Sequence, residues 1–346
     1  MNSTLLSALE TAYSFSPNVP IQLAPFGEGL IHQTYQITQG DRKWILQGFN
    51  QAVFNYPERI DHNLSLLYQE AAIHPLPFKL PLPLKNSKGI GLTLIDGQTY
   101  RLFDFVEGKT LQQVENPTQA YLAAKAYGDF AAWGKAIDAG EMQETIPNFH
   151  RLDLRFEKLA QVAQTKSGLT SEEQEILDFY LSQKPLVDWY LDQIHELPQR
   201  VMHNDTKINN LIFADDFSKV NAVIDLDTLM AGYVYYDFGD LVRTVACTEG
   251  ESSKDWEKIK VENAKYNALL EGFLEVGNGV FTEEEINSLP FGGLMMTCIM
   301  GFRFLADYLN GNIYYTIHYE EQNLHRAKNQ MCLLIDLRGE LHKISS

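Results

Sequence analysis

The fold is decided by Val201-Met-His-Asn-Asp-Thr-Lys-Ile-Asn-Asn-Leu-Ile-Phe213 and by a shorter stretch that follows it, Ala222-Val-Ile-Asp-Leu-Asp227. The apolar runs Leu211 to Phe213 and Ala222 to Ile224 predict two short strands, separated by the turn Asp215-Asp-Phe-Ser-Lys219. A hairpin of these strands would bring the polar residues before the first strand and after the second strand to one edge. That edge would carry a carboxylate, a cation, an amide and a second carboxylate.

The polar side chains at this edge have the chemistry and the spacing that phosphoryl transfer needs. This reaction depends on positioning and charge neutralisation more than on covalent chemistry by the protein. Asp205 is placed to orient an acceptor hydroxyl and take its proton, and Lys207 to steady the transferring phosphoryl group. Asn210 and Asp225 offer oxygen ligands of the kind that Mg²⁺ prefers, and we expect them to converge on one ion. The order Asp-x-Lys-x-x-Asn also occurs in the catalytic loop of protein kinases.

The same stretch carries a resemblance to a known family. His203-x-Asp205-x4-Asn210, followed by Ile224-Asp225, resembles the aminoglycoside phosphotransferase and choline kinase superfamily. Four longer phrases most resemble the N-acetylhexosamine 1-kinases: His203 to Asn210, Val223 to Thr228, Tyr236 to Arg243 and Gly301 to Gly311. The resemblance implies an α+β, bilobal, protein-kinase-like fold. Residues 1–106 would form a small antiparallel-sheet lobe that binds the nucleotide, and residues 107–346 a larger, mainly helical lobe that binds the acceptor.

The activity that the resemblance implies is an ATP- and Mg²⁺-dependent kinase of a small molecule. The expected acceptor is an N-acetylhexosamine, phosphorylated at its anomeric hydroxyl to give the sugar 1-phosphate. Other hydroxyl acceptors stay open, namely an aminoglycoside, choline, ethanolamine or homoserine. In the family the segment around Asp237 supports the catalytic loop, so the expected role of Asp237 is structural rather than catalytic.

The composition is that of a globular protein and argues against two classes of partner. Hydrophobic residues make up 45% and charged residues 21% of the chain. The formal net charge of -17 argues against a nucleic acid or an anionic membrane as partner. Three scattered cysteines suit a reducing cytoplasm. We expect no signal peptide, and the longest apolar run, Phe291 to Phe302, is too short to span a bilayer.

The first hundred residues predict the nucleotide site. Ile21 to Phe26, Gln33 to Thr38 and Trp44 to Phe49 predict a three-stranded meander with Gly-rich turns. By resemblance, Gly27 to Thr34 is the loop over the nucleotide phosphates, and Leu102 to Gly108 is the hinge that meets the adenine. The nucleotide contacts are expected at Gly27, Gly29, Leu30, Gln47, Asp104 and Val106.

The third strand departs from the kinase pattern. Kinases place a lysine there to grip the phosphates, whereas the matching position in this chain is Gln47. Lys43 lies four residues earlier and shares a face of the strand with Gln47, because side chains alternate with a period of two. The sequence leaves open which of the two contacts the phosphates, and a nucleotide-binding pseudokinase stays an alternative.

The acceptor site is predicted around Arg303, in the strongly apolar segment Met295 to Leu309. A guanidinium in such a segment needs polar partners. Asp307, four residues further on, offers a structural pair, and a substrate oxygen offers a functional one. By resemblance, Arg303 and Tyr314 contact the acceptor, and His32 reaches its N-acetyl group.

Two simpler or different interpretations explain less of the sequence. A polar loop with a solvated hairpin does not account for four matched positions and a correctly placed second aspartate. A metal-dependent glycosyltransferase would use Asp225-x-Asp227 for a nucleotide-sugar but leaves His203 to Asn210 unexplained. The role of Asp227 itself stays open between the metal and the acceptor.

Overall fold

A computed structural model describes residues 3–16, 18–27, 32–50, 54–277 and 279–345 of the chain. The chain divides into two compact units. The first unit comprises Met1–Lys109, Gln143–Ile146 and Ile212–Leu229. The second unit comprises Thr110–Met142, Pro147–Leu211 and Met230–Ser346. The predicted division of the chain after residue 106 stays a prediction.

The first unit is built on an antiparallel sheet with the strand order β1-β2-β3-β5-β4. The predicted meander is present. The turn signal Asp96-Gly97 predicts a further hairpin between Gly91 to Ile95 and Thr99 to Phe105, and this hairpin is present as well. Asp96 and Gly97 have positive φ angles of 49° and 81°, as a two-residue turn between antiparallel strands requires. The strands are β1 Gln22–Pro25, β2 Gln33–Gln39, β3 Arg42–Gly48, β4 Thr93–Ile95 and β5 Gln98–Asp104.

Two helices belong to this sheet unit, α1 (Ser3–Ala12) and α2 (Pro57–Ile73). Alternate apolar residues of the strands, including Ile37, Leu46 and Leu102, point to one face and pack against α1 in a single core. The proline at position 57 and the apolar spacing after it predict a helix from Pro57 to His74, and α2 confirms it.

The hairpin that decides the fold is formed as predicted. Its strands are β7 (Leu211–Phe213) and β8 (Val220–Val223), which pair with each other. A second small ladder joins β6 (Arg200–Met202) to β9 (Met230–Gly232) in antiparallel register. Residues 203–207, which we call the catalytic loop because they carry the predicted base, leave β6, and the short turn Ile208–Asn210 leads them into β7.

The second unit is mainly helical. Together with the antiparallel sheet of the first unit, it confirms the predicted α+β fold class. Its helices are α3 Pro117–Trp133, α4 Leu152–Gln164, α5 Ser171–Leu181, α6 Lys184–Glu196, α7 Val234–Leu241, α8 Asn263–Gly277, α9 Glu283–Leu309 and α10 Gln322–Ser345.

The sequence predicts one helix over Ser171 to Leu197, with a capping box from Ser171 to Gln174, and another helix near Trp256 to Val276. The structure differs from all three of these predictions. The segment from Ser171 to Leu197 forms two helices, because Pro185 cannot continue a helix and instead occupies the first turn of α6. The capping box of α5 is made by Thr170 and Glu173, one residue before the predicted one. Only a short 3₁₀ turn forms at Trp256–Lys258, and α8 begins at Asn263.

Helix α9 is the central element of this unit. It is long and apolar enough to cross a membrane by length and composition alone, but 78% of its apolar window is buried within the described structure. A capping box of Thr282 and Glu285 starts the helix. Glu285 also accepts two hydrogen bonds from Arg200 (2.5 and 2.7 Å), which ties the start of α9 to β6 just before the catalytic loop.

Two pairs of helices in this unit cross with backbone against backbone. A methyl group added at Gly292 of α9 would lie 2.2 Å from the carbonyl oxygen of Tyr235 in α7. A methyl group at Gly128 of α3 would lie 2.4 Å from the carbonyl oxygen of Phe273 in α8. Only glycine allows such close approach, so these positions set the spacing of the helices.

Gly292→Ala should therefore destabilise the protein by about 1–3 kcal/mol or more, as overpacking does in a rigid interior. Gly339→Ala is the matched control, because this exposed helical glycine has no atom within 4 Å of an added methyl group. The control should be neutral or stabilising by up to about 1 kcal/mol. Denaturant titration measures both, and equal unfolding free energies for the two variants would contradict the packing argument.

Candidate active site

The catalytic loop of the second unit brings three of the predicted residues into direct contact. The ammonium group of Lys207 lies 2.7 Å from Oδ1 of Asp205. The side-chain amide of Asn210 donates to the backbone oxygen of Asp205 (2.9 Å) and to its Oδ2 (3.1 Å). Because the nitrogen of the Asn210 amide is used in this way, its oxygen is left to face a different partner, as a metal ligand requires.

The carboxylate of Asp237 fixes the backbone at the start of this loop. It accepts hydrogen bonds from the backbone N–H groups of His203 (2.9 Å) and Asn204 (2.7 Å), and it is fully buried. The hydroxyl of Thr206 donates to the backbone oxygen of Asp237 (2.6 Å). Burial raises the pKa of Asp237 to about 6. These contacts are structural, in agreement with the role expected for Asp237.

Asn204 takes a conformation that suits its place before the base. Its φ angle is 63°, in the left-handed region, which asparagine tolerates better than most residues. Its amide donates to the carbonyl oxygens of Met202 and Met230, so it links the two strands of the β6–β9 ladder. A methyl group at Gly232 would lie 2.8 Å from Oδ1 of Asn204, which explains the glycine opposite.

Electrostatics keep Asp205 and Lys207 charged at neutral pH. Burial alone would raise the pKa of Asp205, but the charge of Lys207 and its hydrogen bond outweigh burial and lower that pKa below its usual value. In turn, the charge of Asp205 raises the pKa of Lys207. Asp205 is therefore a carboxylate that can accept a proton from a hydroxyl.

The second predicted metal ligand, Asp225, belongs to the first unit and follows β8. Its backbone is left-handed, with φ 61° and ψ 58°, a conformation that costs on the order of 1–3 kcal/mol for a residue with a side chain. Such conformations persist where the surrounding contacts enforce them and often mark functional sites. A short 3₁₀ turn, Leu226–Thr228, begins immediately after it.

Asp227, whose role the sequence left open, is fixed by two buried partners of the first unit. Arg101 donates from both terminal nitrogens to the two carboxylate oxygens of Asp227, and one of these bonds measures 2.7 Å. His32 contributes a third bond through Nε2 (2.7 Å). Both Asp227 and Arg101 are 2% exposed. Burial would raise the pKa of Asp227, but the charge of Arg101 and the bond from His32 hold it well below its usual range.

His32 is part of this network. The backbone N–H of Asn50 donates to its Nδ1 (3.0 Å), so the ring proton sits on Nε2 and is donated to Asp227. Its ring stacks on Phe49 and Phe54 at 5.1 and 5.5 Å. Both ring nitrogens are thus bonded within the protein, and the expected contact with an N-acetyl group stays a prediction.

The other residues that are predicted to contact the nucleotide lie in strands of the sheet or in the segments that follow those strands. Gly27 has a φ of 72° and follows β1, while Gly29 and Leu30 lie outside the described residues. Asp104 ends β5 and is exposed, and Val106 is half-buried two residues later. Gln47 faces Arg101 across the strands and accepts a hydrogen bond from it (2.7 Å).

Arg303 lies in the second unit among aromatic rings. Its guanidinium carbon is 5.6 Å from the ring centre of Phe149, 5.7 Å from that of Tyr314 and 5.5 Å from that of Tyr315. It donates weakly to the sulfur of Met300 (3.6 Å). In the part of the chain that is described, no carboxylate lies within ion-pair distance of it.

The structural pair considered for Arg303 was wrong, because Asp307 is used elsewhere. Its carboxylate accepts the backbone N–H groups of Ile313, Tyr314 and Tyr315 at 3.0, 2.8 and 3.0 Å. The amide of Asn323 adds a fourth bond. Asp307 therefore fixes the turn that carries the two tyrosines and leaves Arg303 unneutralised.

Sequence reasoning missed Arg155 and His150, which lie beside Arg303. Burial and then the charge of Arg303 lower the pKa of Arg155, whose terminal nitrogen donates to two carbonyl oxygens, of residues 148 and 149. His150 contacts the backbone oxygen of Asn204 (2.9 Å), immediately before Asp205. Burial lowers the pKa of His150 to about 3, so the ring is neutral. Neither residue belongs to a motif, and only the fold reveals them.

Comparison with known proteins places this site in a family. The family model described as "Phosphotransferase enzyme family" matches residues 22–255, more than half of the chain and all of the sheet and hairpin residues discussed above. The chain belongs to this phosphotransferase family. It is a phosphotransferase with a kinase-like fold.

Solved structures agree in fold across almost the whole length. A microcompartment-associated aminopropanol kinase aligns with a TM-score of 0.64 at 15% identity, covering 98% of both chains. A spectinomycin phosphotransferase in complex with ADP and spectinomycin aligns with a TM-score of 0.59 at 10% identity, also covering 98% of both. The choline kinase of Cryptosporidium parvum gives 0.56 at 14% identity, covering 94% of this chain and 91% of the other. At these identities the likeness concerns the fold.

The buried pair in the first unit yields a stability prediction. Asp227→Asn should lower the free energy of unfolding by about 3–5 kcal/mol, because it leaves the guanidinium of Arg101 buried without its counter-charge. Glu107→Gln is the control: it breaks a pair with Lys43 (3.0 Å) in which Glu107 is 76% exposed, and should cost less than about 1 kcal/mol. Denaturant unfolding measures both variants.

The difference in unfolding free energy between the wild type and Asp227→Asn should depend on pH in one direction, because the pKa of Asp227 is lowered in the folded state. Its stabilisation is complete above the usual aspartate pKa of about 4 and is lost as the pH falls towards the folded pKa. The gap between the wild type and Asp227→Asn should therefore narrow below about pH 4. A gap that does not change with pH would contradict the assignment.

Proposed function

We propose that this protein is an ATP- and Mg²⁺-dependent kinase that transfers a phosphoryl group to the anomeric hydroxyl of an N-acetylhexosamine and yields the sugar 1-phosphate. The observation that carries the kinase activity is the Asp205, Lys207 and Asn210 cluster on a loop fixed by Asp237. A binding module would have no need of an ionised carboxylate held in this way. The membership of the chain in the phosphotransferase family supports the same activity.

Each residue of the cluster has a distinct proposed role. Asp205 orients the acceptor hydroxyl and takes its proton, and Lys207 neutralises charge on the transferring group. Asn210 and Asp225 supply an amide oxygen and a carboxylate oxygen for Mg²⁺, a donor set that suits this hard cation. The bound ion would neutralise charge on the nucleotide phosphates.

The proposed nucleotide is ATP, held by the first unit. Gly27, Gly29 and Leu30 would contact the phosphates through backbone groups, and Asp104 and Val106 the adenine edge. The spectinomycin phosphotransferase with the same fold was solved with ADP bound, which supports a nucleotide as the donor. Phosphoryl transfer from ATP to the hydroxyl releases ADP and passes the hydroxyl proton to Asp205.

The charges beside Arg303 favour an uncharged, oxygen-rich acceptor. Two guanidinium groups, those of Arg303 and Arg155, share this surface, and no carboxylate of the described chain neutralises either of them. They repel the cationic amines of choline, ethanolamine and aminoglycosides, and they donate readily to hydroxyl and carbonyl oxygens. Tyr314, which is 65% exposed, offers a ring face on which a hexose can stack.

A substrate panel tests the proposal. Purified protein would be incubated with ATP and Mg²⁺ and with N-acetylglucosamine, N-acetylgalactosamine, an aminoglycoside, choline, ethanolamine and homoserine, while ADP release is measured. ADP release with the hexosamines and a sugar 1-phosphate product are the expected results. Turnover with a cationic acceptor would overturn the acceptor assignment, and no turnover with bound ATP would favour the pseudokinase.

Asp205→Asn should reduce turnover at least roughly a hundredfold, the usual contribution of a general base, while the fold survives. Asp215→Asn is the matched control, because Asp215 lies on the turn of the same region of chain and its side chain is 78% exposed. The control should retain full activity. Steady-state kinetics and thermal unfolding of both variants decide, and an active Asp205→Asn variant would exclude Asp205 as the base.

Arg303→Ala should raise the KM for the sugar or lower kcat/KM, while the affinity for nucleotide stays nearly unchanged. The reason is that Arg303 has no ionic partner in the described structure, so its removal leaves no buried charge unpaired. Sugar kinetics and a separate nucleotide titration measure the two effects. Equal weakening of sugar and ATP, or an unfolded variant, would make Arg303 structural and place the acceptor elsewhere.

A further inference from the structure

The register of the sheet decides between Gln47 and Lys43 as the phosphate-side residue. Gln47 on β3 pairs with Thr34 on β2, next to the connection that joins β1 to β2. Lys43 pairs with Thr38, at the opposite end of the same two strands. Four residues of a strand span about 13 Å, more than a lysine side chain can cover. The place of the usual lysine is therefore filled by an uncharged amide.

The orientation of this amide is fixed by its neighbour. Arg101 pairs with Gln47 in register and donates from a terminal nitrogen to its Oε1 (2.7 Å). Arginine has only donors, so the atom that faces it must be the oxygen of the amide and not the nitrogen. The Nε2 group of Gln47 is consequently on the other side and has no partner among the residues that the structure describes.

Arg101 is rigid enough to impose this orientation. It is held by both oxygens of Asp227, and its guanidinium lies 4.8 Å from the ring centre of Phe49. Its charge is balanced by Asp227, so the pair adds no net charge to the site. A lysine at position 47 would place an ammonium group against this guanidinium, and the repulsion between the two like charges would disfavour it.

We propose that Gln47 donates a hydrogen bond to the nucleotide phosphates in place of the usual lysine, and that Arg101 is the positioning residue that turns its N–H groups outward. The proposal rests on the proposed function, because it assumes that the first unit binds ATP. Arg101 then connects the phosphate-binding residue Gln47 to the hairpin, because it also donates to Asp227, two residues after Asp225.

The test compares the affinities of the protein for ATP and for adenosine by calorimetry. Gln47→Ala should weaken the affinity for ATP roughly tenfold, the usual effect of losing a hydrogen bond to a charged group. The affinity for adenosine should not change. Gln47→Glu should weaken ATP further, because the carboxylate still accepts from Arg101 but repels phosphate. Lys43→Met is the matched control on the same strand and should leave both affinities unchanged.

A double-mutant cycle tests the role of Arg101. The variant Arg101→Gln with Asp227→Asn removes both charges together, so no buried charge is left unpaired. In that background the affinity for ATP should already be lower relative to the affinity for adenosine. Adding Gln47→Ala should then lower the affinity for ATP little further. Full additivity of the two changes would show that Arg101 does not act through Gln47.

The outcomes separate this inference from the proposed function. If the wild type binds neither ATP nor ADP, the kinase assignment and this inference both fail. If the wild type binds ATP tightly, but Gln47→Ala leaves the affinity unchanged or Lys43→Met weakens it, the inference fails and the kinase assignment stands. A loss of adenosine affinity equal to the loss of ATP affinity would make Gln47 a structural residue.

Discussion

The hydrogen bonds from the backbone of His203 and Asn204 to the buried carboxylate of Asp237 are the constraint on which the catalytic loop depends. A loop that leaves a strand has backbone N–H groups without ladder partners, and burying them unpaired would cost a large part of the stability of a domain. Asp237 accepts hydrogen bonds from two of these N–H groups at once and so fixes the backbone immediately before Asp205. The left-handed backbone of Asn204 and the glycine at 232 are consequences of that fixed path.

The arginines of this chain differ in whether a carboxylate neutralises their charge. Arg101 and Arg200 are each matched by a carboxylate, Asp227 and Glu285, and both pairs connect a strand to another element of the same unit. Arg303 has rings around it and no carboxylate in the described structure, although the chain carries a formal net charge of -17. Under the proposed function, an oxygen-rich acceptor would supply the polar partner that the Arg303 guanidinium needs.

The clearest difference between expectation and structure concerns Asp307. Spacing on a helix predicts that residues four apart meet, and for Arg303 and Asp307 the spacing is correct. The turn at 311–315 nevertheless brings three backbone N–H groups to Asp307, and they satisfy its carboxylate. Helical spacing describes which side chains are able to meet, whereas the chain that folds back over the helix end decides which of them do. The split of the segment after Ser171 has a more local reason, because Pro185 was visible in the sequence and its effect follows from its missing N–H.

The fold class was implied by the resemblance of the chain to a kinase family. The sequence pattern by itself determined the hairpin, the three-stranded meander of the first hundred residues and the cluster of Asp205, Lys207 and Asn210. These depend on periodicity, turn residues and contacts within a few positions, which a linear pattern records. Only the tertiary structure decided the partners of Asp227, the orientation of Gln47 and the presence of Arg155 and His150 beside Arg303. Each of these depends on residues that are far apart in the chain, such as Arg101 and Asp227, and no pattern in one sequence encodes which distant side chains will share a buried charge.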